Sequence, residues 1–395
     1  MYLLIVDPAR LSHLDTVIPL AYELKKTIPN VYLQVVFSKR KPYDDFINNK
    51  VLFDLCNIIG SVTYVKVKRV SKKIKAIEKF FKLYLTLPFY IRLIYSRNSI
   101  YFKYKYLDTF FHKVIFNLNK FKKGKTFTYS GNIGSYRDEF KRFYDKYGKI
   151  RDTSNIQTVA HYAPGDGMLV CSVDAIKYLG LRGYSNFLII GYPVLYDAFI
   201  DYVDSNHKTY VESEIKSNYR YDKDCIVSVY LNKYWGRWFN RDDKWFEDAF
   251  VDVISSIKEK NKHPFIFLRL HPTLDRKIVD TFIQKYKMDN VVISFLHPSV
   301  LAKSSKYVVA IGQSSTFIHV MGMGTPYVEY GTMPSLNYKL FPEGSLYSEF
   351  GTIVAKNKIE LLDSIDSINN KKINFSKFNN LIKHKTDLEY FYRLN

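Results

Sequence analysis

Three short stretches combine residue types that do chemistry together. In FIFLRLHPT an apolar run gives way to His271-Pro272, so an imidazole stands where a buried strand ends and the proline fixes the backbone behind it. Pro272 is expected to open the next helix. An imidazole held there donates to a phosphate oxygen and stabilises negative charge on a leaving group. In IGQSSTFIHV the hydroxyls of Ser314, Ser315 and Thr316 stand between a strand and a helix, where they cap the helix and its amides point at solvent or an anion. In HYAPGDGMLV, Asp166 lies between Gly165 and Gly167, and is either a general base or a turn former. The His-Pro pair recurs. His263 precedes a strand and faces away from the expected site, whereas His297 follows the strand VVISF and stays an alternative to His271. Arg269 shares the His271 face of its strand by two-residue alternation.

Such residues need strands that end together, and the apolar pattern supplies them. YLLIV (2–6), the helical DTVIPLAYELKKTI and VYLQVVFS (31–38) make a βαβ opening, and FLIIGYP (187–193) reads as the last strand of the amino-terminal half. The polar, charge-mixed stretch 204–224 reads as a linker. Beyond it CIVSVYL, FIFLRL, VVISF, YVVAIG and PYVEYG read as strands separated by helices, one of which, RDDKWFEDAFVDVISSIKEKN, starts acidic and ends basic as the helix dipole favours. The order predicts an α/β chain of two doubly wound, Rossmann-like domains facing a cleft. Ligands in such sheets bind beyond the carboxyl ends of strands. His271 and Ser314-Ser315 are therefore expected at neighbouring strand ends of one sheet, with Asp166 across the cleft.

With 395 residues, 47% of them apolar, the chain suits two domains with substantial cores and is not a disordered polymer. Cys56, Cys171 and Cys225 are widely separated and lack CxxC spacing, which argues against a disulfide framework or a zinc site and fits a reducing cytoplasm. The opening MYLLIVDPAR reads as a strand and turn, not a signal peptide. No window suits a membrane-spanning helix; LYLTLPFYIRLIY (83–95) is interrupted by Pro88 and Arg92. P-loop, dinucleotide-fingerprint, GxSxG, HExxH and EF-hand signatures are missing. The formal charge of +21 is unevenly spread: between Lys66 and Lys125 stand 17 Lys/Arg against only Glu78 and Asp108, interleaved with Tyr and Phe. That segment suits a membrane surface or an acidic acceptor. Nucleic acid lacks a supporting RNP1, zinc-finger or helix-turn-helix sequence.

The ordered trio Asp166-Gly167 in GDG, His271-Pro272 and Ser314-Ser315 resembles the acidic-Gly, HP and S/SS motifs of bacterial sialyltransferases and polysialyltransferases of the GT-B fold. The resemblance implies an acceptor-binding domain over 1–203 carrying the basic aromatic segment 66–125, and a nucleotide-sugar-binding domain over 225–395. It implies Asp166 as the base that deprotonates the acceptor, His271 as stabiliser of the departing CMP phosphate, and Ser314 and Ser315, with Thr316 beside them, as phosphate partners. The implied reaction is a single inverting displacement from CMP-sialic acid to a surface glycan such as lipooligosaccharide or capsule, without an obligatory metal or cofactor. Gly165 stands where family members often carry a second acid. CMP-Kdo transferases and CDP-glycerol polymerases look similar in their HP and Ser-rich sites, so the donor stays open among them. Glu329, ending PYVEYG, is read as a ribose ligand or a structural residue, and YSGNIGSYRD (129–138) as a loop meeting donor or acceptor. The implied setting is cytoplasmic, peripheral on the inner membrane face, with a glycan or glycolipid acceptor and no nucleic acid. The rival reading is a non-catalytic membrane-surface or nucleic-acid-binding protein built around residues 66–125.

Overall fold

The structure is a computed structural model that describes residues 1–8, 11–66, 75–104, 110–129, 165–172, 186–215, 219, 222, 225–232, 234, 241–332, 343–345, 347–370, 373–382 and 386–394. The chain divides into two units, Met1–Phe199 with His384–Asn395, and Ile200–Lys383.

Unit 1 runs β1 (Tyr2–Val6), α1 (Leu11–Thr27), β2 (Tyr32–Phe37), α2 (Arg40–Asn48), α3 (Lys50–Ile59), β3 (Gly60–Tyr64) and α4 (Lys75–Tyr95). It continues with β4 (Ser99–Tyr104), α5 (Phe110–Phe121), β5 (Lys125–Tyr129), β6 (Gly167–Val170) and β7 (Phe187–Ile189). The strands are parallel in the order β3-β2-β1-β4-β5-β6-β7. All five residues of YLLIV are buried, as a strand covered on both faces requires. Tyr2 and Tyr32, opposite each other in register, stack at 6.1 Å, and the Arg92 guanidinium lies 4.8 Å above each ring. Pro88 of the run 83–95 sits inside the continuous helix α4. Proline there forfeits one helix hydrogen bond, but Tyr90 and Leu93 are buried in the core with Tyr2, Leu4 and Tyr101 and hold the helix down.

The expected linker is helical over 204–214. Helix α6 (Asp197–Glu214) carries the chain from unit 1 into unit 2 and takes up residues 204–214. Val203, Tyr210 and Val211 form its buried stripe, and the polar residues that suggested a linker occupy its other face.

Unit 2 follows with β8 (Ile226–Leu231), α7 (Asp243–Lys260), β9 (Phe265–Leu270), α8 (Arg276–Lys285), β10 (Val291–Ser294) and α9 (Pro298–Ser304). Then come β11 (Val308–Ile311), α10 (Phe317–Gly322), β12 (Tyr327–Tyr330), β13 (Ile353–Ala355), α11 (Lys358–Asn369) and α12 (Ser376–Ile382). This parallel sheet has the order β10-β9-β8-β11-β12-β13. Asp242 caps α7 by accepting from the Trp245 amide at 2.8 Å, and Lys258 and Lys260 end it. Phe246, Phe250, Val253 and Ile257 of α7 share a core with Val227, Val229 and Leu231 of β8.

The expected boundary of a second domain at residue 395 is also corrected. After α12 the chain returns to unit 1, where α13 (Glu389–Tyr392) places the fully buried Phe391 ring 5.5 Å from Phe127. Asp387 exchanges two hydrogen bonds with Ile189 of β7, its amide donating at 2.7 Å and its carboxylate accepting at 2.8 Å. A strand edge and an open aromatic slot hold the tail.

Candidate nucleotide site at the carboxyl edge of unit 2

The strand order of unit 2 reverses between β8 and β11, and the carboxyl ends flanking that reversal are where ligands of such sheets bind. Buried Asn232, just past β8, donates from Nδ2 to the carbonyls of Ile311 at 3.2 Å and Gly312 at 3.3 Å, tying the two strand ends together. Gly312 has φ +82, the left-handed turn that releases the chain into Gln313–Thr316. On the other side of β8, the His271 amide donates to Leu231 O at 2.8 Å. His271 and the Ser-Ser pair are therefore not on neighbouring strands as expected. They flank β8, two strand spacings or about 10 Å apart.

Pro272 occupies the second position of a turn closed by Leu274 N–H donating to His271 O at 2.9 Å, and α8 starts only at Arg276, capped by Asp275. Pro272 thus shapes a turn and does not open the helix. That turn orients the ring: Nδ1 accepts from the Thr273 amide at 3.2 Å and lies 2.8 Å from the Thr273 hydroxyl. A nitrogen that accepts carries no proton, so the neutral imidazole carries its N–H on Nε2. Arg269, in register with Tyr230 and Ser294, donates to Leu296 O at 3.0 Å and brings a guanidinium to the same edge.

The competing His-Pro pairs have other work. His297 is fully buried, caps α9 by accepting from the Ser299 amide at 3.2 Å, and packs 5.1 Å from the His319 ring. His263, with φ +48, lies at the amino end of β9.

The serine loop departs from the expected open cradle. Ser314 Oγ accepts from the Thr316 amide at 3.3 Å and from its hydroxyl at 2.8 Å. The amides of Phe317 and Ile318 donate to the carbonyls of Ser314 and Ser315. Helix α10 has six residues, and Thr316 stands at its start without a side-chain cap bond. Hydroxyls, not helix-terminal amides, are what this loop offers a ligand. Beneath it lies Glu329 of β12, fully buried, accepting from the Ser314 amide and the Ser345 hydroxyl. Burial pushes its carboxyl up to about 8, with those two hydrogen bonds pulling the other way. Gln313 Nε2 donates to Gly344 O at 3.3 Å. Glu329 is thus a support for the serine loop and not the ribose ligand that its strand-end position suggested.

Asp166 lies at the opposite kind of edge. It precedes β6, at the amino ends of the unit 1 strands, where its amide donates to Thr126 O and its carboxylate accepts from Thr126 N–H, both at 2.7 Å. Gly165 has φ +76, and a Cβ there would stand 2.2 Å from the Thr126 carbonyl oxygen. The GDG is a turn that aligns β6 with β5, and the base assignment of Asp166 is replaced by this structural one. An acid that sequence reasoning missed stands at the carboxyl edge instead: Asp7, φ +51, accepts from the Ser38 amide at 2.6 Å and hydroxyl at 2.8 Å and pairs with Lys82. Its signal is an acid and proline directly after the buried YLLIV. Residues 130–138 of the polar loop and 161–164 before the GDG lie outside the described residues. Among the described residues, no three His, Cys, Asp or Glu side chains gather to hold a metal ion.

No family model matches the chain, and no curated protein matches it by sequence. Among solved structures, the UDP-GlcNAc 2-epimerase from Methanocaldococcus jannaschii is similar over 100% of this chain and 99% of that one, with TM-score 0.59 at 13% identity. The fold is GT-B. This GT-B chain is also similar to the UDP-GlcNAc 2-epimerase from Neisseria meningitidis bound to UDP-GlcNAc, at 12% identity over 100% and 98% of the two chains with TM-score 0.55. Medicago truncatula UGT71G1 complexed with UDP-glucose matches at 10% identity over 100% and 97%, with TM-score 0.50. At such identities the likeness establishes the fold.

Proposed function

We propose that this GT-B chain is a glycosyltransferase that uses a nucleotide-activated sugar, with CMP-sialic acid as donor and a surface glycan or glycolipid as acceptor at the cytoplasmic face of the membrane. The observation that carries the reading is the place of His271 at the carboxyl edge beside the β8/β11 reversal, with its Nδ1 accepting from the Thr273 amide so that the neutral ring carries its proton on Nε2. The donor phosphate sits between that imidazole and the hydroxyls of Ser314, Ser315 and Thr316. As the acceptor hydroxyl attacks the anomeric carbon and gives up its proton to solvent, the bond to the phosphate oxygen breaks and its electron pair stays on the phosphate. The imidazole N–H stabilises that charge, a contribution of about 10²–10³ in kcat for one well-placed donor. The HP and Ser-Ser order supports a cytidine donor, and the net charge of +21 suits an acidic sugar and an acidic product. CMP-Kdo and CDP-glycerol share the leaving-group chemistry. A second reading, epimerisation of a sugar nucleotide, is favoured by the higher TM-scores of the two epimerases, 0.59 and 0.55.

Nucleotide release is measured from CMP-sialic acid, CMP-Kdo, CDP-glycerol and UDP-GlcNAc with and without glycan acceptors. Acceptor-dependent release of CMP, lowered about a hundredfold or more by His271→Ala, is the expected result. Acceptor-independent isomerisation of UDP-GlcNAc establishes the second reading, and undiminished turnover in His271→Ala defeats the site.

A further inference from the structure

Helix α4 is apolar on two faces. Tyr90 and Leu93 are buried in unit 1, with Leu85, Phe89 and Ile94 packed beside them. On its outer side Phe80, Tyr84, Leu87, Ile91 and Tyr95 are 66%, 63%, 40%, 47% and 78% exposed. Their spacing of four, three, four and four residues keeps them within about a quarter of the helix circumference along about 22 Å. At the end of this stripe α5 adds Leu118 and Phe121, both exposed. Lys122 joins the two helices, its Nζ 5.9 Å from the Tyr95 ring and 6.0 Å from the Phe121 ring. Exposed Arg97, Lys113, Lys120 and Lys123 lie along the same two helices and their flanks, and Asp108 is the sole acid in the sequence from Lys79 to Lys125. No helix among the described residues is long and apolar enough to cross a membrane.

We propose that the α4–α5 face of unit 1 docks on an anionic lipid surface, its aromatic stripe entering the headgroup layer and its lysines meeting lipid phosphates. A rigid apolar stripe bordered by cations has the two components such binding needs, apolar insertion and attraction to negative headgroups. An acidic polysaccharide uses the cations and leaves the stripe in water. A second copy of the chain would bring its own lysines against these. The proposal stands apart from the donor reading, since vesicle binding involves no sugar nucleotide.

The test is cosedimentation of the full chain with phosphatidylcholine vesicles, with and without phosphatidylglycerol. Binding to the anionic vesicles, weakened by salt, is expected. The double variant Tyr95→Ser with Phe121→Ser lowers the partition coefficient at least tenfold at unchanged charge, and the triple variant Lys120→Glu, Lys122→Glu, Lys123→Glu does so as well. In Tyr95→Trp the added fluorescence is quenched by brominated acyl chains. All these positions are exposed, so circular dichroism and the thermal midpoint stay at wild-type values. Three outcomes overturn the proposal: both variants binding like the wild type, a stripe-dependent dimer with vesicle binding unaffected, or binding to acidic polysaccharide that only the lysine variant loses.

Discussion

Glu329 ties the serine loop to the 343–345 segment through a carboxyl that burial holds neutral, and this makes the stability of unit 2 depend on pH in a calculable way. The folded carboxyl titrates near 8, against an ordinary 4.5 in the unfolded chain. Between those values the folded state keeps a proton that the unfolded state has released, so stability falls as pH rises from about 4.5 and levels off above about 8. At about 1.4 kcal/mol per pH unit, the penalty grows from about 1 kcal/mol at pH 5 to about 4 kcal/mol at pH 8. Glu329→Gln keeps an acceptor for the Ser314 amide and Ser345 hydroxyl but never ionises. The variant therefore gains about 3 kcal/mol relative to wild type between pH 5 and pH 8, other titrating groups cancelling in the difference. Urea unfolding followed by tryptophan fluorescence reads this in the right unit, because Trp235, Trp238 and Trp245 all fall within Ile200–Lys383. A wild-type and variant pair whose difference is the same at pH 5 and pH 8 refutes the reasoning.

Two further predictions concern unit 1. Asp166→Ala removes the acceptor for Thr126 N–H and lowers the stability of unit 1 by about 1–3 kcal/mol, while kcat for nucleotide release with a soluble acceptor stays within about twofold; a hundredfold loss of kcat at unchanged stability restores the base reading. Phe391→Ala empties the slot beside Phe127 and costs about 3–5 kcal/mol, read as faster hydrogen exchange of the Phe127 and Ile189 amides, and unaltered exchange there contradicts the packing of the tail.

Strands β8 to β12 of unit 2 were legible because each is a mostly apolar run, and their alternation with helices leaves little choice but a parallel sheet, whereas the three-residue β13 was not read. The sheet order, and with it the position of His271 and the serine loop on opposite sides of β8, depends on pairing between distant strands that periodicity does not report. Residues 204–214 were misread because polar residues outnumber Tyr210 and Val211, the two that with Val203 define a buried helical stripe. Asp166 misled for a different reason. Its partner Thr126 is 40 positions away, and a turn carboxylate is locally identical whether it meets a backbone amide or a substrate. Asn232 belongs to no motif; its only signal is that it follows the first strand of the unit, where the order reverses.

The return of residues 386–394 to β5 and β7 orders the assembly of the chain in time. Synthesis from the amino terminus delivers every strand of unit 1 first, then the whole of unit 2, and only then the segment that covers Phe127 and pairs with Ile189. Unit 2 is in effect an insertion within unit 1. A nascent chain holds the first unit with Phe127 and the Ile189 edge uncovered until residues 386–394 emerge, and removing those residues acts on the amino-terminal unit.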